Sequence, residues 1–304
     1  MDQDDLAARI TQAGDEGWTT LDISQKGLKY LPSEIGNLTT LTRLYLGSNQ
    51  LTTLPPEVGN LTDLKWLDLS SNQLTELPPE IGNLTNLIEL NLDGSHLDGN
   101  ALTELPPEIG RLTALTSLNL RQNRLTALPP EIGNLIALTG LHLSYNELTE
   151  LPAEIGNLTA LTWLNLRQNR LTALSPEIGN LTTLTRLDLR DNQLTELPPE
   201  IGNLTALTWL SLRQNQLTAL PSEISNLSAL TRLHLSHNEL TGLPPEIGNL
   251  TALIQLDLSS NQLTTWPPEM KRLVDRGVLV LSGNPFQKLD PGAYFGDLAD
   301  HLAR

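Results

Sequence analysis

The chain has no cysteine among its 304 residues, and only two methionines, two phenylalanines and four tyrosines. Without cysteine there is no disulfide, no thiol nucleophile and no zinc–thiolate site. That composition fits a reducing compartment. Basic side chains are also scarce, 19 against 35 acidic ones, for a formal net charge of −16. The summed field repels phosphate, which disfavours nonspecific binding to nucleic acid or to an anionic membrane. No apolar run approaches the roughly 18 residues that cross a bilayer, so no membrane insertion is expected. The opening "MDQDDLAARI" has no apolar segment of the kind a secretory signal needs, and a cytoplasmic location is the expectation.

Catalytic signatures are missing as well. There is no GxxxxGK[ST], no GxSxG and no HExxH. Of the five histidines, only His234 and His237 lie close in sequence, and their repeat offers no third matching ligand. Neither an enzyme nor a resident metal or cofactor is expected.

What the chain has instead is a period. Aligning on "LPPEIGNLT" gives ten units beginning at Leu31, Leu54, Leu77, Leu105, Leu128, Leu151, Leu174, Leu197, Leu220 and Leu243, with a degenerate eleventh at Trp266. Each unit is 23 residues long except the one from Leu77 to Glu104, which has 28. The second half of a unit follows L-x-x-L-x-L-x-x-N-x-L, as in Leu161, Leu164, Leu166, Asn169 and Leu171.

These residues resemble the leucine-rich-repeat family over nearly the whole chain. The form "LPxEIGxLxxLxxLxLxxNxLxx" is similar to that of Ras-group leucine-rich-repeat proteins and of the repeat region preceding the GTPase in bacterial Roco proteins. The resemblance implies an α/β solenoid, a horseshoe with a concave parallel β-sheet of about 12 strands and short 3₁₀ or turn segments outside. It also implies partner binding, to a GTPase or to the rest of its own chain, in a GTPase-linked signalling protein.

The residues lead to the same architecture on their own. Leucines at alternating positions in "LTWLNLRQN" suit a short strand with one buried face. One unit cannot bury that face alone, so stacked neighbours share a continuous core. The Asn column (Asn49, Asn72, Asn123, Asn146, Asn169, Asn192, Asn215, Asn238, Asn261, Asn284) falls where the chain turns out of the strand. A buried amide there satisfies backbone groups of adjacent turns. In "PPEIGNL" two prolines preset φ and suit a 3₁₀ segment, and Gly then Asn mark its end. The eight Asn-Leu-Thr/Ser sequons read as these same turn residues.

An open array needs covered ends. Residues 1–30 read as an N-terminal cap, with Leu6, Ile10 and Ala13 at helical spacing and then a first strand. Residues 31–265 hold the ten repeats. Residues 266–304 hold the degenerate last repeat and a second helical cap carrying Tyr294, Phe295, Leu298 and Leu302.

Side chains between the leucines point to the strand face. One column there runs Arg43, Trp66, Glu89, Ser117, Gly140, Trp163, Arg186, Trp209, Arg232, Gln255. Another runs Gly47, Ser70, Asp93, Arg121, Ser144, Arg167, Arg190, Arg213, Ser236, Ser259. Ten of the eleven basic residues of the repeats lie on or beside the strands, whereas nearly every outer half carries a glutamate. Tryptophan and arginine dominate interface hot spots. The same residues also suit a stacking ladder that only stabilises the sheet. The binding reading names Trp66, Arg121, Trp163, Arg167, Arg186, Arg190, Trp209, Arg213 and Arg232 as contacts for an acidic protein or peptide. A secreted or surface-exposed recognition protein for host protein or glycan is the alternative.

The long unit contains "LDGSHLDGN", Leu92 to Asn100. Either Asn100 or Ser95 takes the Asn-column slot there. EF-hand spacing fails at Leu97 and Asp98, which disfavours calcium. Asp93, His96 and Asp98 form a rim loop, a tolerated insertion or a supplementary contact for the partner.

Overall fold

The computed structural model describes residues 2–95 and 99–286. His96 and Asp98 of the rim loop, and the expected C-terminal helical cap beyond Phe286, lie outside them. The chain forms two compact units, Met1–Asn165 and Leu166–Arg304.

The first unit opens with α1 (Gln3–Asp15). The Asp2 side chain caps it by accepting from the Asp5 amide at 2.8 Å, and Asp4 and Asp5 complement the positive end of its dipole. Leu6, Ile10 and Ala13 are buried, as their spacing requires. Seven strands follow: β1 (Thr20–Asp22), β2 (Arg43–Tyr45), β3 (Trp66–Asp68), β4 (Glu89–Asn91), β5 (Ser117–Asn119), β6 (Gly140–His142) and β7 (Trp163–Asn165). Each pairs in parallel with the next, with a leucine opposite a leucine: Leu21, Leu44, Leu67, Leu90, Leu118, Leu141 and Leu164.

The second unit contains β8 (Arg186–Asp188), β9 (Trp209–Ser211), β10 (Arg232–His234), β11 (Gln255–Asp257) and β12 (Leu279–Val280), again parallel and in chain order. Its last repeat differs. The turn Pro268–Met270 runs directly into a short helix, α2 (Lys271–Asp275), and the Arg276 guanidinium after it donates to the carbonyls of Thr251 and Leu253 at 2.7 and 2.6 Å. The twelve strands, the outer 3₁₀ turns and the N-terminal helix are those of a leucine-rich-repeat solenoid.

The outer turns start where proline fixes φ. In Pro56–Asn60, Pro55 precedes the turn in extended conformation and Pro56 occupies its first position, where its missing N–H costs nothing. Gly and Asn close most of these turns, with Arg111 in place of the Asn and Ser225 in place of the Gly in two of them, but glycine is not there for left-handed backbone. A Cβ on Gly36 would meet the Glu57 carbonyl oxygen of the next repeat at 2.7 Å, and one on Gly179 the Glu200 carbonyl at 2.6 Å. Glycine is used so that successive turns can approach.

Left-handed backbone recurs instead just before the Asn column, mostly at residues other than glycine: Ser48, Ser71, Gln122, Gln168, Asp191 and Gln214 have φ between 53° and 57°, and Gly283 before Asn284 has φ 75°. That bend aims each buried asparagine across the stack. Asn49 Nδ2 donates to the carbonyls of Ile23 and Leu46, and its Oδ1 accepts from the amides of Lys26 and Leu28. The pattern recurs at Asn192, which donates to Leu166 and Leu189 and accepts from Leu171.

The lengthened repeat keeps register. Glu89 pairs with Ser117, 28 residues on, and Leu90 with Leu118. Asn100 takes the asparagine slot, donating to Leu69 and Leu92 and accepting from the Leu74 amide. Thus the extra residues fall between Leu92 and Asn100 in the chain.

Candidate recognition surface on the strand faces

Each of the three-residue strands β1 to β11 buries its central leucine and leaves its two flanking side chains on the opposite face. The third strand residue is often acidic or an amide, and it has a local task. Its side-chain oxygen accepts from the amide two residues on: Asp22 from Ser24, Asp68 from Ser70, Asn119 from Arg121, Asp188 from Arg190, Asp257 from Ser259, all at 3.0–3.2 Å. This turn bond satisfies a backbone donor as the chain leaves the sheet. These acids are therefore only partly available to a ligand.

On the first unit the aromatic and basic residues are dispersed. The Arg43 guanidinium lies 4.3 Å from the Trp66 ring centre. Trp163 stands edge-on to His142, with ring centroids 4.2 Å apart and an interplanar angle of 77°. Burial holds the His142 imidazole below its usual pKa, with the Asp93 charge pulling the other way. Arg121 is 3.8 Å from the Asp93 carboxylate, donates to the Ser95 hydroxyl and lies 5.3 Å from the Tyr145 ring. Asp93 of the rim loop thus contacts the strand face from within its own unit.

On the second unit the charges concentrate around Trp209. Arg186 and Arg190 approach its ring centre at 5.5 and 5.7 Å. Arg190 also grips Asp188, with contacts of 2.7–3.2 Å, and Asp188 is 4 % exposed. Arg167 is bound to Asp191 at 2.9 Å. Arg213 and Arg232 are exposed and hold no ion pair with any described residue. His234 lies 5.9 Å from Trp209, half-buried, and burial lowers its pKa.

Of the six arginines that the sequence offers to an acidic partner, three, Arg121, Arg167 and Arg190, already hold carboxylates of this chain. Sequence reasoning also passed over Asp188, His142 and Ser211. The signal was present for the first: Asp188 and Arg190 are two apart on one face, the spacing at which opposite charges meet. Among the described residues no group of three His, Asp or Glu side chains could hold a metal ion, and no helix is long and apolar enough to cross a membrane.

A family model for a leucine-rich repeat region matches residues 95–185 and 173–275, and a second leucine-rich repeat model matches 39–97. The chain belongs to the leucine-rich repeat family. Among solved structures, this leucine-rich-repeat protein is similar to the ectodomain of the plant membrane receptor kinase GASSHO1/SCHENGEN3 from Arabidopsis thaliana, solved in complex with CASPARIAN STRIP INTEGRITY FACTOR 2. Identity is 36 %, coverage 87 % of this chain and 32 % of that one, and the TM-score 0.76. It is also similar to the functional domain of InlJ from Listeria monocytogenes, at 28 % identity, 90 % and 55 % coverage and a TM-score of 0.72. A TDR receptor structure matches at 31 % identity, 91 % and 58 % coverage and a TM-score of 0.59. The chain spans about a third of the first of these and under two thirds of the other two. Among curated proteins, none matches the chain.

Proposed function

We propose that this leucine-rich-repeat protein is a non-catalytic recognition module that binds an acidic protein or peptide on its strand faces. The observation that carries the reading is on the second unit: Trp209 set between guanidiniums, beside the exposed and ion-pair-free Arg213 and Arg232. An indole offers contact area at low entropy cost, and guanidiniums pair carboxylates bidentately. A net charge of −16 would otherwise repel an acidic partner, so a local basic face is what lets one dock. The similar receptor ectodomain was solved in complex with CASPARIAN STRIP INTEGRITY FACTOR 2, which supports partner binding by a chain of this fold.

The test is selection of displayed peptides on the whole chain, followed by affinity measurement with Trp209→Ala and, separately, with Trp66→Ala and Trp163→Ala. Loss of binding in the first, with circular dichroism unchanged, is expected. Undiminished binding in all three would sink the reading.

Two settings for such a module remain as proposals. The repeat's likeness to Ras-group and Roco sequences supports a cytoplasmic, GTPase-linked signalling role. The likeness to a membrane receptor ectodomain supports a surface-exposed module recognising host protein or glycan. The full reading frame separates them: a GTPase segment favours the first and a leader peptide the second.

A further inference from the structure

The second unit also carries a groove of about 440 Å³ that no strand residue lines. It lies between residues 173–176 of one repeat and 196–200 of the next, where the chain enters its outer turns. Its walls are mainly apolar. Leu174 and Leu197 are nearly buried at its base, and Pro176 and Pro199 are exposed. The sequence explains why it opens here. Ala173 stands where the neighbouring repeats carry Glu150 and Glu196, and Ser175 where they carry Pro152 and Pro198. Both are smaller than the residues they replace. Pro198 and Pro199 also have no N–H with which to bond across the gap. Among the described residues, the last backbone bond between the two segments before their turns runs from the Thr195 amide to the Thr172 carbonyl, at 3.4 Å.

The charges in the lining are of one sign. Glu196 and Glu200 both belong to it, and neither holds an ion pair with any described residue. No counter-charge is at hand, because Arg167, Arg170, Arg186, Arg190, Arg213 and Arg232 all lie on or beside the strands. The adjoining turns place Glu177 and Glu223 at the same position as Glu200. Like charges on neighbouring elements repel, and a chain of net charge −16 draws cations toward itself.

We infer that this groove is the docking site for a basic segment of a partner protein, with one Lys or Arg side chain lying in it. The methylene stem covers the prolines and leucines, and the cationic head sits between the Glu196 and Glu200 carboxylates. Exposed ion pairs contribute little by themselves, so the apolar walls make the place selective. A polypeptide suits it better than a small free cation, because further basic residues of the same segment meet Glu177 and Glu223 on the adjoining turns. The site is separate from the strand face and does not rest on the recognition role proposed there.

The experiment uses the full chain and a displayed library of 12-residue peptides, counter-selected on the double variant Glu196→Gln/Glu200→Gln. Selected peptides are synthesised with each Lys or Arg intact or replaced by norleucine. Affinity is measured against the parent chain, that double variant, Trp209→Ala and Ala173→Glu/Ser175→Pro. The last gives the repeat its neighbours' residues, so it fills the groove while adding a carboxylate. Ser175 already has the φ of −69° that proline takes, and none of the four substituted groove positions is buried, so unfolding midpoints should hold. The expected result is that one norleucine replacement and the double glutamine variant each weaken binding at least tenfold. Ala173→Glu/Ser175→Pro weakens it at least fivefold, and Trp209→Ala changes it less than twofold. Equal or tighter binding by Ala173→Glu/Ser175→Pro would show attraction to an acidic surface alone and overturn the groove. Selected peptides without Lys or Arg, or peptides that Trp209→Ala no longer binds, also overturn it. So does a library that yields no peptide preferring the parent chain to the double glutamine variant.

Discussion

Arg190 and Asp188 form a forked ion pair on the face of β8, with nitrogen–oxygen contacts of 2.7–3.2 Å and the carboxylate almost fully buried. The pair fixes the guanidinium beside Trp209, 5.7 Å from its ring centre. A residue that looks available to a ligand in the sequence is, in the fold, a part that holds the indole in place.

Removing Arg190 should therefore harm folding as well as binding. Arg190→Ala leaves the Asp188 charge with only the local amide, at a cost of about 1–3 kcal/mol. Asp188→Asn with Arg190→Gln removes both charges and should recover most of that loss. Urea unfolding of the two variants decides the matter; equal destabilisation would show that the pairing itself contributes nothing.

The asparagine column should be less forgiving. Asn192 is 8 % exposed and bonds four backbone groups: the carbonyls of Leu166, Leu189 and Arg190 and the amide of Leu171. Asn192→Leu leaves the Leu171 amide unpaired, at about 1–3 kcal/mol for a buried group without water. The carbonyls of Leu166 and Leu189 keep the donors of Asn169 and Asn215 and lose one bond each, about 0.5–1.5 kcal/mol apiece. We expect a loss of at least about 2 kcal/mol in equilibrium unfolding, well above that of Gln193→Ala beside it, whose side chain is exposed.

Glycine positions should split by surroundings. Gly179→Ala drives a Cβ to 2.6 Å from the Glu200 carbonyl oxygen, which is backbone and cannot swing away. Gly242→Ala meets nothing within 4 Å and has ordinary φ, so it should stabilise by about 0.4–1 kcal/mol through the unfolded chain. Thermal melts of the two variants should move in opposite directions. The chain has itself placed Ser225 in the first kind of slot, and Leu243 of the following repeat is partly exposed where its counterparts from Leu31 to Leu220 are buried.

The two aromatic-contacting histidines make stability depend on pH. Burial lowers the pKa of His142 against Asp93, and of His234 against the pull of Asp257 and Asp188. The unfolded chain then binds protons that the folded chain refuses, between the depressed values and the ordinary imidazole value of about 6.5. Stability is present above that window and is lost as pH falls through it. Unfolding midpoints taken from pH 7.5 to 5.5 should decline, and His142→Gln/His234→Gln should flatten the decline. An unchanged slope in the double variant would contradict the assignment.

The repeat frame was legible in the sequence for a physical reason. A unit of 23 residues with leucines at fixed spacing has one way to bury them, and Leu44, Leu67 and Leu90 lie opposite one another as the alignment requires. Proline placed the outer turns, and the helical spacing of Leu6, Ile10 and Ala13 placed α1. The slot of the long repeat was open between Asn100 and Ser95. It was settled by which amide reaches the carbonyls of Leu69 and Leu92, a distance that no spacing rule contains.

The candidate site was legible only as a face. The columns placed Trp209, Arg190 and Arg213 together because strand side chains alternate. Which cations are spent on Asp188 and Asp191, which remain unpaired, and which hydroxyl is buried without a partner depend on rotamers and on neighbours a whole repeat away. The sequence by itself determined the stack, the core and the strand faces, since these follow from periodic burial. Only the tertiary structure decided the chemistry of those faces, because ion pairs and solvent exclusion are set by contacts across rungs and not by order along the chain.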